Sequence, residues 1–146
     1  MIALLVALAT LVPAERPIID AELSGQCEIS EVAVYASGFA HFQVTNSCGT
    51  APEEFTSGLR KVSASELKSL KESIDKARFS SLPESIEPDP KTVSTEEDVF
   101  SIRVWSKGVA KRVHAFGLDR TEDRGSAERF QALWAAVQLF GPREGK

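Results

Sequence analysis

The sequence contains few of the residues on which most enzymes and metal sites depend. Its 146 residues include two histidines, two cysteines, one tyrosine and one methionine. The Gly-x-Ser-x-Gly and His-Glu-x-x-His motifs and the glycine-rich phosphate loops are missing as well. The sequence therefore predicts a non-catalytic protein, with no catalytic residue, no metal site and no cofactor.

Basic residues are also fewer than acidic ones. Seventeen Lys and Arg residues stand against 21 Asp and Glu residues, which gives a net charge of -4. Phosphate backbones attract positive protein surfaces, so this balance argues against nucleic acid as a partner. The content of 42% hydrophobic and 26% charged residues is typical of one globular domain.

Long hydrophobic runs are missing too, apart from a short one at the start. Residues 1–12 (MIALLVALATLV) carry no charged side chain, but a membrane-spanning helix needs roughly 20 residues. The run has the length of a signal-peptide core, and Val12-Pro13-Ala14 provides small residues before a cleavage point at Glu15. We predict a signal peptide over residues 1–14. The alternative is a buried first element of the fold.

Cleavage at that point leaves residues 15–146, which we predict to form a single exported α+β domain. The location is then secreted or periplasmic, with no stable membrane span after removal of the signal. Cys27 and Cys48 agree with export, because an even pair of cysteines in an oxidising compartment favours a disulfide. In a reducing compartment the same two thiols would stay free.

The two cysteines flank a predicted β-hairpin. Residues 30–36 and 39–45 are alternating β-rich runs separated by Ser37-Gly38. A three-residue loop with Gly38 in the left-handed conformation pairs residues whose numbers sum to 74, and this register separates apolar from polar side chains. One face then carries Val32, Val34, Ala40, Phe42 and Val44, and the other carries Glu31, Ala33, Tyr35, Phe39, His41 and Gln43.

A second hairpin is predicted near the carboxyl end. Residues 99–105 (VFSIRVW) alternate, Lys107-Gly108 forms the turn, and residues 109–116 return with Val109, Val113 and Ala115 inward. Residues 48–60 and 83–98 are rich in Gly, Pro, Ser and acidic residues, which predicts loops.

Two helices complete the pattern. Ser63 and Glu66 form a capping box ahead of an amphipathic run that ends near Ala77. A second helix begins at Ser126 and stops at Gly141-Pro142. The predicted fold is therefore α+β, a four-stranded antiparallel sheet of two hairpins with two helices on one face, in the order ββαββα.

These segments occur in a recognisable layout. Val34-Tyr35 and Ser37-Gly38 precede an alternating strand, Ser63-Ala64-Ser65-Glu66-Leu67 opens a helix, and ARFSSLP at residues 77–83 closes it. Together with the second hairpin and the last helix, the layout over residues 32–140 resembles small bacterial exported domains of unknown function and, more loosely, emfourin-type inhibitors of metalloproteases. The resemblance implies protein binding, with protease inhibition as the specific role.

The candidate binding residues are aromatic and basic. Tyr35 and Phe39 share one sheet face, while Arg103 and Trp105 project from the second hairpin on the side opposite its apolar residues. If the helices leave that face uncovered, its composition predicts contact with another protein. The alternative is that these side chains form a second small core.

A rival function would be a small exported enzyme or a metal-binding protein. Such a site would use His41 or His114, the only histidines, next to an acid or a thiol in a pocket. The acidic run Glu96-Glu97-Asp98 could instead bind a hard cation, although it lacks the alternating spacing of a calcium loop. A solvated loop is the simpler interpretation of that run.

Overall fold

The computed structural model describes residues 15–49, 52–94 and 96–143. The predicted signal peptide, residues 1–14, lies outside the described residues. Neither of the α-helices in the described ranges is long and apolar enough to cross a membrane.

Seven strands and two α-helices occur in the described part of the chain. The strands are β1 (Ile19–Ser24), β2 (Glu28–Tyr35), β3 (Phe39–Asn46), β4 (Glu54–Lys61), β5 (Ser85–Ile86), β6 (Val99–Ser106) and β7 (Val109–Ala115), and the helices are α1 (Ala64–Ala77) and α2 (Arg124–Gln138). The α+β class and the two helices are therefore confirmed. Short 3₁₀ turns at Phe79–Ser81 and Pro90–Thr92 lie between α1 and β6.

All seven strands belong to one sheet, in the order β4-β3-β2-β1-β6-β7-β5. The neighbouring strands are antiparallel except for β5 and β7, which are parallel. The predicted four-stranded antiparallel sheet and the order ββαββα are thus wrong. The largest omission is β1, which pairs with β2 on one side and β6 on the other and so joins the two predicted hairpins.

The predicted loop over residues 48–60 is wrong over most of its length, because β4 begins at Glu54. Gly58, which belongs to the predicted loop, lies in the strand opposite Phe42. A Cβ atom at Gly58 would lie 2.7 Å from Cζ of Phe42. Glycine therefore marks the place where a neighbouring ring crosses the strand. Over the described residues of the predicted loop, 83–94 and 96–98, β5 and one 3₁₀ turn interrupt the irregular chain.

Both predicted hairpins form. Val34 lies opposite Ala40, which is the register with a sum of 74, and Gly38 has the expected positive φ of 93°. In the second hairpin Lys107 and Gly108 have φ of 51° and 78°, as a two-residue type I′ turn requires. The register of the first hairpin confirms its predicted division into an apolar and a polar face.

The apolar sides of the central strands and of both helices form one core. Its largest fully buried side chains are Phe130, Ile19, Leu70, Ile86, Ile102, Leu133, Val32, Val34, Val113 and Val137. Val109 was predicted to point inward but is 70% exposed, because it directly follows the turn at the end of its hairpin. Lys111, an unexpected charge on this side, donates through Nζ to the carbonyls of Ser80 and Leu82.

The helix ends follow local hydrogen-bonding rules. At α1 the Ser63 hydroxyl accepts from the Glu66 N–H at 3.1 Å, and the Ser63 N–H donates to the Glu66 carboxylate at 2.8 Å, so the predicted capping box is confirmed. Helix α2 begins two residues before the predicted Ser126, because Asp123 caps it by accepting from the Ser126 N–H. It ends at Gln138, ahead of the predicted stop.

The predicted Cys27–Cys48 disulfide is present, with Cα atoms 4.6 Å apart. It ties the residue before β2 to the chain just after β3, next to a hydrogen bond from the Ser47 N–H to the Cys27 carbonyl. The bridge therefore closes the open end of the first hairpin.

Replacing Cys27 and Cys48 together by Ser should lower the free energy of unfolding by about 3 kcal/mol, because a closed loop of this size restricts the unfolded chain. Urea denaturation of the variant and of the oxidised chain measures the difference. Reduced wild type should match the variant. Two alkylatable thiols in the untreated exported protein would contradict the disulfide.

Candidate functional site

The side of the sheet opposite the two helices is here called the open face. Strand alternation and register place every second side chain on it. From β4 to β7 it carries Phe55, Ser57, Leu59, Lys61, Phe39, His41, Gln43, Thr45, Ile29, Glu31, Ala33, Tyr35, Asp20, Glu22, Ser24, Val99, Ser101, Arg103, Trp105, Ala110, Arg112 and His114.

All four candidate binding residues lie on the open face. Tyr35 and Phe39 are direct cross-strand neighbours at the end of the first hairpin. Trp105 lies at the same level as Tyr35 on the far side of β1, roughly 10 Å away by the usual strand spacing. Phe39 is 43% exposed, and Tyr35 and Trp105 are half-buried. Three aromatic side chains therefore share one end of this face.

Arg103, the fourth candidate, is held between two neighbours. Its Nη2 and Nε atoms donate to Oδ2 of Asp20 at 2.5 and 3.1 Å, and its Cζ lies 4.2 Å from the ring centre of Trp105. Asp20 is cross-strand from Arg103, and only 3% of its side chain is exposed. A buried carboxylate needs a partner, so Arg103 neutralises Asp20 and also supports Trp105.

A group of acidic side chains lies beside this pair. Carboxylate oxygens of Asp20, Glu22 and Glu31 are within 4.8 Å of one another, and Glu22 is directly opposite Glu31. Burial raises the pKa of Glu31, and the charges of Glu22 and Asp20 raise it further, while His41 and Arg103 oppose this. Calcium needs six to eight oxygen ligands. Because Arg103 is bonded to Asp20, the three carboxylates provide too few free oxygen ligands for a calcium site.

The two histidines are far apart. His41 lies on β3 between Ala33 and Leu59. His114 lies on β7, four strands away, opposite Ser101. His114 lines an open cleft of about 450 Å³ together with Glu84, Lys111 and Arg112. Both cysteines of the sequence are in the disulfide, so neither histidine can pair with a thiol.

The acidic loop ahead of β6 has a structural role. Glu97 forms an ion pair with Arg120, which also donates to the Thr92 carbonyl. The hydrogen bond from Arg120 is the main cause that lowers the pKa of Glu97. Since a guanidinium engages the central carboxylate of the run Glu96-Glu97-Asp98, the contacts favour the simpler interpretation, a solvated charged loop.

Sequence reasoning missed several exposed apolar residues on the open face. Phe55 and Leu59 of β4 are 64% and 75% exposed, and Ile29 of β2 is 60% exposed. Asp20 was missed because β1 was not recognised. The alternation of Ile19, Ala21 and Leu23 with polar residues is the signal that could have revealed that strand.

Comparison with known proteins assigns no family. Neither a protein-family model nor a curated protein sequence matches the chain. The functional inference therefore depends on the geometry of the open face.

Replacing Arg103 by Ala should destabilise the fold, because it leaves the Asp20 carboxylate buried without a counter-charge. We expect a loss of about 3 kcal/mol in the free energy of unfolding, the low end of the range for breaking such a pair, since the Arg103 side chain is one-third exposed. Urea denaturation measures it. The matched control is Arg112→Ala on the adjacent strand, which should cost less than about 0.5 kcal/mol. Equal effects would contradict the role of the pair.

Replacing Glu31 by Gln should stabilise the protein at neutral pH by about 0.2–1 kcal/mol, because it removes a like charge opposite Glu22. The folded protein binds the Glu31 proton more tightly than the unfolded chain does. Stability is therefore lost as the pH rises from the ordinary value of 4.5 through the raised pKa. Well below 4.5, the variant and wild type should unfold alike. Thermal unfolding across pH measures this, and a gain that persists at low pH would contradict it.

Proposed function

We propose that this chain is an exported, non-catalytic protein-binding module. The partner contacts the end of the open face where Tyr35, Phe39 and Trp105 lie together. The observation that supports this most directly is that three aromatic side chains share one level of a sheet face that the helices leave uncovered. Aromatic residues and Arg are enriched where proteins bind one another.

The contacts of Trp105 favour binding over a merely structural role. The Arg103 guanidinium supports one side of its ring, and the Asp20 carboxylate in turn holds Arg103 in place. A side chain whose rotamer is already restricted loses less conformational entropy when a partner binds. The buried ion pair thus pre-organises the aromatic group for contact.

The charges of the same face define the partner more closely. Within the described residues, no salt bridge reaches Glu22 or Glu31, and their mutual repulsion makes a nearby positive charge favourable. We infer a partner surface that inserts an apolar side chain among the aromatic residues and places a basic residue against Glu31. Electrostatic complementarity of this kind adds specificity and speeds association.

The disulfide is compatible with an oxidising compartment, and it supports the proposed secreted or periplasmic location. The resemblance to emfourin-type proteins makes a metalloprotease the first partner to test. Binding is favoured over catalysis because both cysteines are in the disulfide, and because His114 and the acid next to it, Glu84, lie in an open cleft rather than in an enclosed pocket.

The test is inhibition of a secreted zinc metalloprotease by the purified chain. Trp105→Ala should weaken binding by at least about 30-fold, which corresponds to the 2 kcal/mol of a hot-spot residue. Its melting temperature should change little, because the ring is half-buried and lies outside the core. Leu139→Ala is the matched control, since Leu139 is 74% exposed at the end of α2, on the helical side.

Equal inhibition by Trp105→Ala and wild type would exclude the open face as the binding surface. A chain that inhibits no metalloprotease would exclude the inhibitor role alone. In that case, partner capture from the extracellular fraction, compared between wild type and Trp105→Ala, tests the wider proposal. A large fall in the melting temperature of Trp105→Ala would show that Trp105 is a core residue.

A further inference from the structure

The two edges of the sheet differ sharply. One edge is β5, which has two residues and is followed by Pro88 and Pro90, and short strands and prolines protect an edge against further pairing. The other edge is β4, with eight residues and no proline. No other strand in the described part of the chain pairs with the outer side of β4, and most of its residues are exposed.

The backbone of β4 is oriented for pairing. The Val62 N–H donates to the Gly38 carbonyl at 2.9 Å, in the same register as the β3–β4 pairs. Hydrogen bonds to a neighbouring strand involve every second residue. The even-numbered residues of β4 therefore bond to β3, and Phe55, Ser57 and Leu59 direct their N–H and C=O groups away from the sheet.

The sequence of this edge is complementary to itself. Residues 53–61 read EEFTSGLRK, with two acids and an apolar residue before the centre at Ser57, and an apolar residue and two bases after it. We propose that β4 pairs antiparallel with β4 of a second copy of this chain, with Ser57 opposite Ser57. Such a contact is isologous and closes as a two-fold dimer.

The register follows from the side chains. With Ser57 at the centre, Phe55 of each copy lies opposite Leu59 of the other, so two of the most exposed apolar side chains are covered on each side of the axis. Both residues belong to the open face. The two-fold axis is perpendicular to the continuous sheet, so these side chains lie on the same side of it in both copies. A shift by two residues would place Phe55 opposite Ser57 or Lys61 and lose both apolar pairs.

The charges select the same arrangement. Glu53 of each copy lies opposite Lys61 of the other, and Glu54 lies opposite Arg60. Arg60 already bonds to Glu66 at 2.6 Å, so the Glu53–Lys61 pair carries most of the preference. Parallel pairing would bring like charges together. Opposite charges across paired strands stabilise, and like charges destabilise.

The dimer leaves the aromatic end of the open face free to bind another protein. The continuous sheet has both open faces on the same side, and Phe39, Tyr35 and Trp105 lie one, two and four strands from β4. The proposal thus does not depend on the proposed binding role, and the Trp105→Ala variant should dimerise as wild type does.

The test is sedimentation equilibrium of the purified chain over a wide range of concentrations. Wild type should approach twice the monomer mass. Ser57→Pro removes an outward N–H from an edge strand, where proline is tolerated, and should remove the concentration dependence. Circular dichroism verifies that this variant is folded. A wild type that stays monomeric throughout would overturn the proposal.

Charge-reversal variants test the same contact without altering the backbone of β4. Glu53→Lys and Lys61→Glu should each weaken self-association about tenfold, because each places like charges at both ends of the contact. An equimolar mixture of the two variants should recover dimers, since acid again meets base. Lys68→Glu on α1 is the control with the same charge change and should behave as wild type. A wild-type dimer that Ser57→Pro and both charge variants leave unchanged would also overturn the proposal.

Discussion

Strand β1 is the constraint on which the rest of the structure depends. It lies between β2 and β6, so it alone makes one sheet of two hairpins that are distant in sequence. Its Ile19 and Ala21 are almost fully buried against the helices. The alternation of a strand then forces Asp20 into the centre of the open face, where its carboxylate is nearly as inaccessible as the core. Burial of that charge requires Arg103, and Arg103 in turn positions Trp105. The packing of the central strand therefore determines the chemistry of the opposite side.

The two proposed contacts use different physical features of the same sheet. At one end of the open face, the Arg103–Asp20 ion pair holds Trp105 in place near Tyr35 and Phe39, and the neighbouring carboxylates of Glu22 and Glu31 favour a basic partner. At the β4 edge, outward-facing backbone groups and a self-complementary side-chain pattern favour a second copy. Native proteins usually protect such edges, as β5 is protected here. The exposure of Phe55 and Leu59 beside an open backbone edge is the feature that sets β4 apart.

Local signals in the sequence were reliable where one face of an element is buried or a cap is formed. The register of β2 and β3, the capping box at Ser63 and the disulfide all follow from short-range rules that the tertiary structure respects. The sequence did not predict strand β4, because both of its faces are exposed and Gly58 is a residue typical of loops. Such a strand has no hydrophobic alternation to detect. Strand β1 did alternate, and it forms a tight antiparallel hairpin with β2. No local pattern indicated that its other side pairs with β6.

The sequence by itself determined the α+β class, the two helices, the first hairpin with its faces and the Cys27–Cys48 pair, because neighbouring residues dictate these through periodicity, turn geometry and capping. It also placed Tyr35 and Phe39 together, since a hairpin brings its own strand ends into contact. Only the tertiary structure decided that β1 separates the two predicted hairpins, that Arg103 is committed to Asp20 and that β4 is an edge among the described strands. Those features depend on pairing between strands that are distant in sequence. Burial of the whole core determines that pairing, and a local sequence pattern contains no information about it.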